Sequence, residues 1–169
     1  MHEESPSVVF ESLHADVIPP TRATRGAAGY DVRAHLKTRR VRMSVLGAES
    51  EVEADSDGRL ALQPGATALV PLGFRARLPE GYEAQIRVRS SVAYRKGLIL
   101  PNAPGTIDAD YPDEWLVMMR NDSGATVHIE HGERIAQVVL SRFETLPWVE
   151  GTVGRSTDRT GGVGSTGRR

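Results

Sequence analysis

The segment from Pro101 to Asn121, PNAPGTIDADYPDEWLVMMRN, sets two carboxylates beside an aromatic ring. Thr106 to Tyr111 alternates apolar and polar residues with the period of a strand. That period puts Asp108 and Asp110 on one face and Ile107, Ala109 and Tyr111 on the other. Pro112-Asp113 predicts a turn and Trp115 to Met119 an apolar return strand, so the segment reads as a β-hairpin carrying acids. One such carboxylate can activate a water while the ring of Tyr111 packs a flat ligand. Two solvated turn acids would give the same spacing. A Ca2+ loop is a poor fit, because Pro112 stands where a ligand belongs and no Gly follows in register.

Four other places could join that chemistry. Asp31 ends the loop VIPPTRATRGAAGYDVRA and enters a strand. Arg89 precedes two hydroxyls, Ser90 and Ser91, at the start of a predicted short helix, an arrangement that suits a phosphate. Gln137 interrupts the apolar run Ile135 to Leu140, so its amide must bond backbone or face a site. Gly161 to Gly167 could offer several N–H groups to phosphate oxygens, with Ser165 and Thr166 adding hydroxyls. It is not a Walker loop, since no Lys follows the last Gly.

The elements that must position these groups are strands. Seventeen Gly and ten Pro cut the chain of 169 residues into short pieces. Short alternating runs recur, and almost no longer window carries a helical period. The class expected is all-β, a sandwich or barrel. The exception is RSSVAYRKGL, a helix expected to be capped by Ser90 or Ser91 and stopped at Gly97. Residues 1–7 are expected to be disordered, 8–150 to form one β domain, and 151–169 to form a Gly-rich arm. Thr38 to Leu62 reads as an extra surface hairpin, with basic RRVRMSV against acidic EVEAD and turns at Gly47-Ala48 and Ser56-Asp57-Gly58.

Composition excludes several partners. Lys and Arg total 21 against 22 Asp and Glu, a formal net charge of −1. That balance gives no field to hold a polyanionic duplex, while an anionic small molecule needs only local cations. Without cysteine there are no disulfides and no thiolate ligands or nucleophiles. No apolar run approaches membrane-spanning length and MHEESPS does not read as a signal peptide, so the expectation is a soluble cytoplasmic protein.

Five pieces in order resemble the trimeric, all-β dUTP pyrophosphatase (dUTPase) family: AAGYDVRA (27–34), RSSVAYRKGL (89–98), the 101–121 segment with GTIDADY, GERIAQVVL (132–140) and GGVGSTG (161–167). The resemblance implies a β-barrel or jelly-roll protomer and a homotrimer whose active sites draw on more than one subunit. The implied activity is hydrolysis of dUTP to dUMP and pyrophosphate, with Mg2+. Asp108 then matches the carboxylate that activates water, and Tyr111 the ring that excludes a 2′-hydroxyl. Asn102, Gly105, Thr106 and Ile107 lie on the edge that reads uracil. Asp31 matches the acid that meets the magnesium shell, Arg89, Ser90 and Ser91 the phosphate side, and Gln137 the amide that positions water and phosphate. Arg159, Val163, Gly164, Ser165 and Thr166 fall on the closing flap.

The chain departs from the family pattern at Val163, where the flap usually has an aromatic, and at Asp113, where the turn usually has Gly. Arg155 and Arg159 compete for the γ-phosphate, and 38–62 is longer than usual. dCTP deaminases resemble the same fold and share RSS, but their catalytic Glu corresponds to Met118 here. A binding-only relative is the third reading, set against the presence of Asp31, Asp108 and Gln137.

Overall fold

A computed structural model describes residues 5–158. In chain order the described elements are β1 (Val9–Ser12), β2 (Tyr30–Arg33), β3 (Arg40–Val45), β4 (Ala48–Glu53), β5 (Arg59–Leu62), β6 (Ala66–Pro71), β7 (Phe74–Arg77) and β8 (Tyr82–Val88). They continue with α1 (Ser90–Lys96), β9 (Leu98–Ile99), β10 (Gly105–Ile107), β11 (Leu116–Asn121), β12 (Val127–Glu130) and β13 (Arg134–Arg142). Two larger sheets run in the orders β10-β8-β13-β2 and β4-β3-β6-β11-β9. Two ribbons, β1-β7 and β12-β5, flank them. All pairings are antiparallel. The all-β class is borne out.

Alternation along the strands builds the core. Val117, Met119 and Asn121 of β11 are buried, as are Ala66, Ala68 and Val70 of β6, while Leu116, Met118, Arg120, Thr67 and Leu69 between them are half-exposed. Phe74 joins the ribbon to the core, with its ring 5.1 Å from Phe10 and 5.4 Å from Trp115. Among the described residues the one buried amide is fully used. Asn121 Nδ2 donates to Leu62 and Ala125 carbonyls, each at 2.8 Å, and Oδ1 accepts from the Ser123 backbone N–H and hydroxyl. A buried polar side chain costs little only when satisfied in this way.

Three expectations need correction. The 101–121 segment is not a hairpin: β10 pairs β8 in one sheet and β11 pairs β6 and β9 in the other. The chain crosses between the two large sheets here, and Asp108 to Tyr111 is a turn closed by the Tyr111 N–H on the Asp108 carbonyl (3.2 Å). The alternation read as strand survives as alternating exposure, because a tight turn also sends successive side chains apart. The 38–62 stretch is more than a surface decoration. Its hairpin β3–β4 sets Arg40 opposite Glu53 and Arg42 opposite Glu51, but β3 also joins β6, and Val41 and Met43 are buried. Its turn is Leu46-Gly47, both at positive φ (51° and 87°), and β5 leaves to pair with β12. Finally, α1 ends as expected at Gly97, in the left-handed region (φ 64°), but its N-cap is Arg89, with no side-chain cap bond.

Candidate active site

The four-stranded sheet aligns the groups suited to phosphate. Gln137 on β13 stands opposite Asp31 on β2 and Arg87 on β8. Arg89, just past β8, sends Nε to Asp31 Oδ1 at 3.0 Å. Arg134 sends Nη1 to Asp31 Oδ2, also at 3.0 Å. The Asp31 carboxylate, only 12% exposed, is thus held between two guanidiniums. Charge-assisted bonds of this kind fix both partners and leave each guanidinium with N–H groups to spare.

Nothing in the sequence around GERIAQ singles out Arg134. Strict alternation would put Arg134 on the face opposite Gln137. A register shift between Arg134 and Ala136 turns it back, so that Ile135 and Ala136 are both buried. Such a bulge re-aims one side chain at a site, and a period-two reading cannot see it.

Gln137 and Gly29 belong together. A Cβ on Gly29 would run into the Gln137 carboxamide, so the glycine of AAGYD is the space in which that amide lies. Among the described residues the amide has no hydrogen-bond partner, and it lies beside the ion pair. Of the two options left by the sequence, a core amide bonded to backbone is not what the described residues show. Ser90 and Ser91 are exposed at the start of α1.

The second group sits on the turn after β10. Asp108 is exposed, Tyr111 is half-buried, and the Tyr111 hydroxyl reaches the Glu114 carbonyl at 3.5 Å. Asn102 is tucked against Gly105, the first residue of β10, and Thr106 and Ile107 pair with Gln85 and Ala84. Arg155 is exposed. Arg159, Val163, Gly164, Ser165 and Thr166 lie outside the described residues.

The two groups are far apart within one chain. Asp108 follows Ile107, which pairs with Ala84 of β8, whereas Asp31 is level with Arg87 three strands across. At about 3.3 Å per residue and about 4.8 Å per strand, the separation is on the order of 20 Å.

Among the described residues, one cluster could suggest a metal: Asp16, His35 and His131, with ligand atoms within 4.8 Å of one another. Its hydrogen bonds argue otherwise. His131 Nδ1 accepts the backbone N–H groups of Leu36 (3.1 Å) and Lys37 (3.4 Å), which leaves the ring proton on Nε2. That N–H faces Asp16 Oδ2 at 3.2 Å, while His35 Nε2 meets Oδ1 at 2.9 Å. The cluster is a carboxylate clasped by two imidazoles, pinning the β1–β2 loop. His14 stacks on His35 (centroids 4.3 Å apart), and its pKa is lowered by burial and then by the neighbouring His35 and Arg39. Asp16 is held below the usual carboxylate range, first by its bond to His35.

The strand-built chain thus sets two guanidiniums and an amide around Asp31 on one sheet, with Asp108 and Tyr111 on a separate turn. The dUTPase family model matches residues 55–167. The deoxyuridine 5′-triphosphate nucleotidohydrolase of Roseobacter denitrificans is 42% identical over 149 residues, covering 88% of this chain and 86% of that protein. That of Caulobacter vibrioides is 38% identical over 155 residues, covering 91% and 88%. A crystal structure of Streptococcus mutans dUTPase superposes with a TM-score of 0.62 at 29% identity, covering 83% of this chain and 99% of that one. The chain belongs to the dUTPase family.

Proposed function

We propose that this protein hydrolyses dUTP to dUMP and pyrophosphate, by attack of water at the α-phosphorus, limiting uracil in DNA and supplying dUMP. The observation that carries the reading is the Asp31–Arg89–Arg134 ion pair beside the unpartnered Gln137 amide, in a chain of the dUTPase family.

The residues divide the work by chemistry. Arg89 and Arg134 keep free N–H groups for a triphosphate while Asp31 fixes their planes. Ser90 and Ser91 add hydroxyl donors on the same side. The Gln137 carboxamide, able to donate and to accept, orients water and phosphate oxygen together. Asp108 takes the proton of the attacking water, Tyr111 packs the deoxyribose, and Asn102 to Ile107 read the base. Asp31 also suits an outer-shell contact to Mg2+. Both of its oxygens already accept guanidinium N–H bonds, so it meets a hydrated cation better than a bare one, and the triphosphate would supply the inner ligands. When bound, Mg2+ would neutralise the phosphates and hold them in one conformation.

The reading extends to a cytoplasmic homotrimer, and the same geometry supports sites shared between copies. Some 20 Å of sheet separates Asp31 from Asp108 within one chain, which supports assigning the two groups to different sites. Half-exposed Leu69, Leu116 and Met118 on the five-stranded sheet offer an apolar face to another copy. Residues 143–158 lie exposed, with Leu146 and Trp148, inside the domain read as 8–150, uncovered by their own chain, which supports a C-terminal segment that reaches a neighbour and adds to the 151–169 arm reading.

Hydrolysis in 18O water tests the attack directly. The label belongs in dUMP; label in pyrophosphate would mean that water attacks the β-phosphorus instead.

A further inference from the structure

The turn that carries Asp108 and Tyr111 is held at one end by a single side chain. Glu114 Oε1 accepts the backbone N–H of Gly73 at 2.8 Å. The Arg39 guanidinium grips the same carboxylate through both oxygens, with Nη1 to Oε1 at 3.2 Å and Nη2 to Oε2 at 2.5 Å. Both side chains are largely buried, at 22% and 18% exposure. The two-point geometry leaves the carboxylate little freedom to rotate, unlike an exposed ion pair. Next to Glu114, the Trp115 backbone is bonded to Phe74 (3.0 Å) and Leu72 (3.1 Å), so the chain is fixed from Glu114 onward. On the other side of Glu114, Tyr111 packs against the core and its hydroxyl meets the Glu114 carbonyl at 3.5 Å, while Asp108 and Asp110 are exposed.

Arg39 stands at the base of the β3–β4 hairpin, whose decorative reading the fold has already overturned. It and Glu114 line, with Tyr111, Arg40 and Pro71, a cleft of about 360 Å3. The β3–β4 hairpin and the turn thus meet only a few residues from the acid and the ring.

We propose that Arg39 is a positioning residue for the nucleoside half of the site: by fixing Glu114, whose carbonyl meets the Tyr111 hydroxyl, it sets where Tyr111 stands, and this is a task of the 38–62 insertion. The proposal rests on the dUTP-hydrolysis reading and on Tyr111 as the sugar-side ring. A ring displaced by a fraction of an ångström covers deoxyribose less well and excludes a 2′-hydroxyl less strictly, so the effect falls on KM and on sugar discrimination.

The test is steady-state kinetics of the full-length protein on dUTP and UTP with Mg2+, at a temperature far below the melting transition of each variant. Arg39→Met, which keeps the stem and removes the fork, raises KM for dUTP about tenfold while kcat changes less than about threefold. It narrows the dUTP/UTP ratio of kcat/KM about tenfold. Arg39→Lys recovers part of both losses, since it keeps the charge but not the two-point grip. Glu114→Gln moves both quantities the same way and stands in if Arg39→Met does not fold. Leu46→Asn, at the exposed tip of the same hairpin and outside that cleft, matches the parent. In Arg39→Met/Tyr111→Ala the ratio narrows no further than in Tyr111→Ala alone, as two parts of one device require.

A folded Arg39→Met with the parent's KM and ratio overturns the positioning role, provided that Tyr111→Ala itself narrows the ratio. Additive losses in the double variant overturn it as well. A flat ratio in Tyr111→Ala sinks the sugar-side reading on which the proposal rests. Failure to release pyrophosphate from dUTP in the parent sinks the activity itself.

Discussion

Gly29 and Gln137 form a pair in which one residue is defined by what it lacks. Any side chain at Gly29 displaces the Gln137 amide, although β2 and β13 would still pair. Gly29→Ala is therefore expected to fold normally and lose kcat by roughly ten- to a hundredfold, the size of effect that follows a misplacement of about 1 Å. Unchanged kcat in a variant with the parent's circular dichroism would show that Gln137 does not act in the reaction. Asp108→Asn keeps shape and removes the proposed base, so dUTP should still bind while turnover falls by about 10²–10⁴-fold. Equal turnover in variant and parent would remove Asp108 from its role. Both residues were legible in the sequence as chemistry without a place. Arg134 was not, because its position on the site face depends on a bulge.

At the scale of elements, the strands and α1 could be read from alternation and from the Gly97 stop, since these signals are local. Sheet membership could not. Nothing near Asp108 says that β10 belongs with β8 while β11 belongs with β6, and the hairpin reading failed for that reason. The clasp of Asp16 by His35 and His131 was equally hidden, being assembled from three separate connections between strands. It has a pH signature. The His14 pKa is lowered from 6.5 in the fold, so the unfolded chain takes up the proton first and stability falls as pH drops below about 6.5. Asp16, lowered from 3.8, adds a loss of the same sign only below about pH 4. Urea midpoints are expected to fall between pH 7 and 5, and less so in His14→Gln. An identical fall in both would acquit His14. Cutting the chain after Glu150 should leave the fold intact, because the last described strand ends at Arg142, yet turnover should drop by orders of magnitude through loss of the arm. A truncated protein with full activity would make the arm a mere tail.

The whole molecule is where one chain ceases to be sufficient. If each site takes Asp108 from one copy and Gln137 from another, Asp108→Asn and Gln137→Ala chains are each inactive alone. Refolded together they should recover about a quarter of the sites. A mixture as inactive as its parts would place both groups in one copy. All of this depends on what the protein does to nucleotides, and one measurement meets that claim head-on. Purified full-length protein with Mg2+ is given dUTP, dTTP, dCTP and UTP in turn, and pyrophosphate, nucleoside monophosphate and ammonia are quantified. The account predicts pyrophosphate and dUMP in equal amounts from dUTP, far slower turnover of the others, and no ammonia. Ammonia from dCTP, or dUTP bound and left intact, would contradict it.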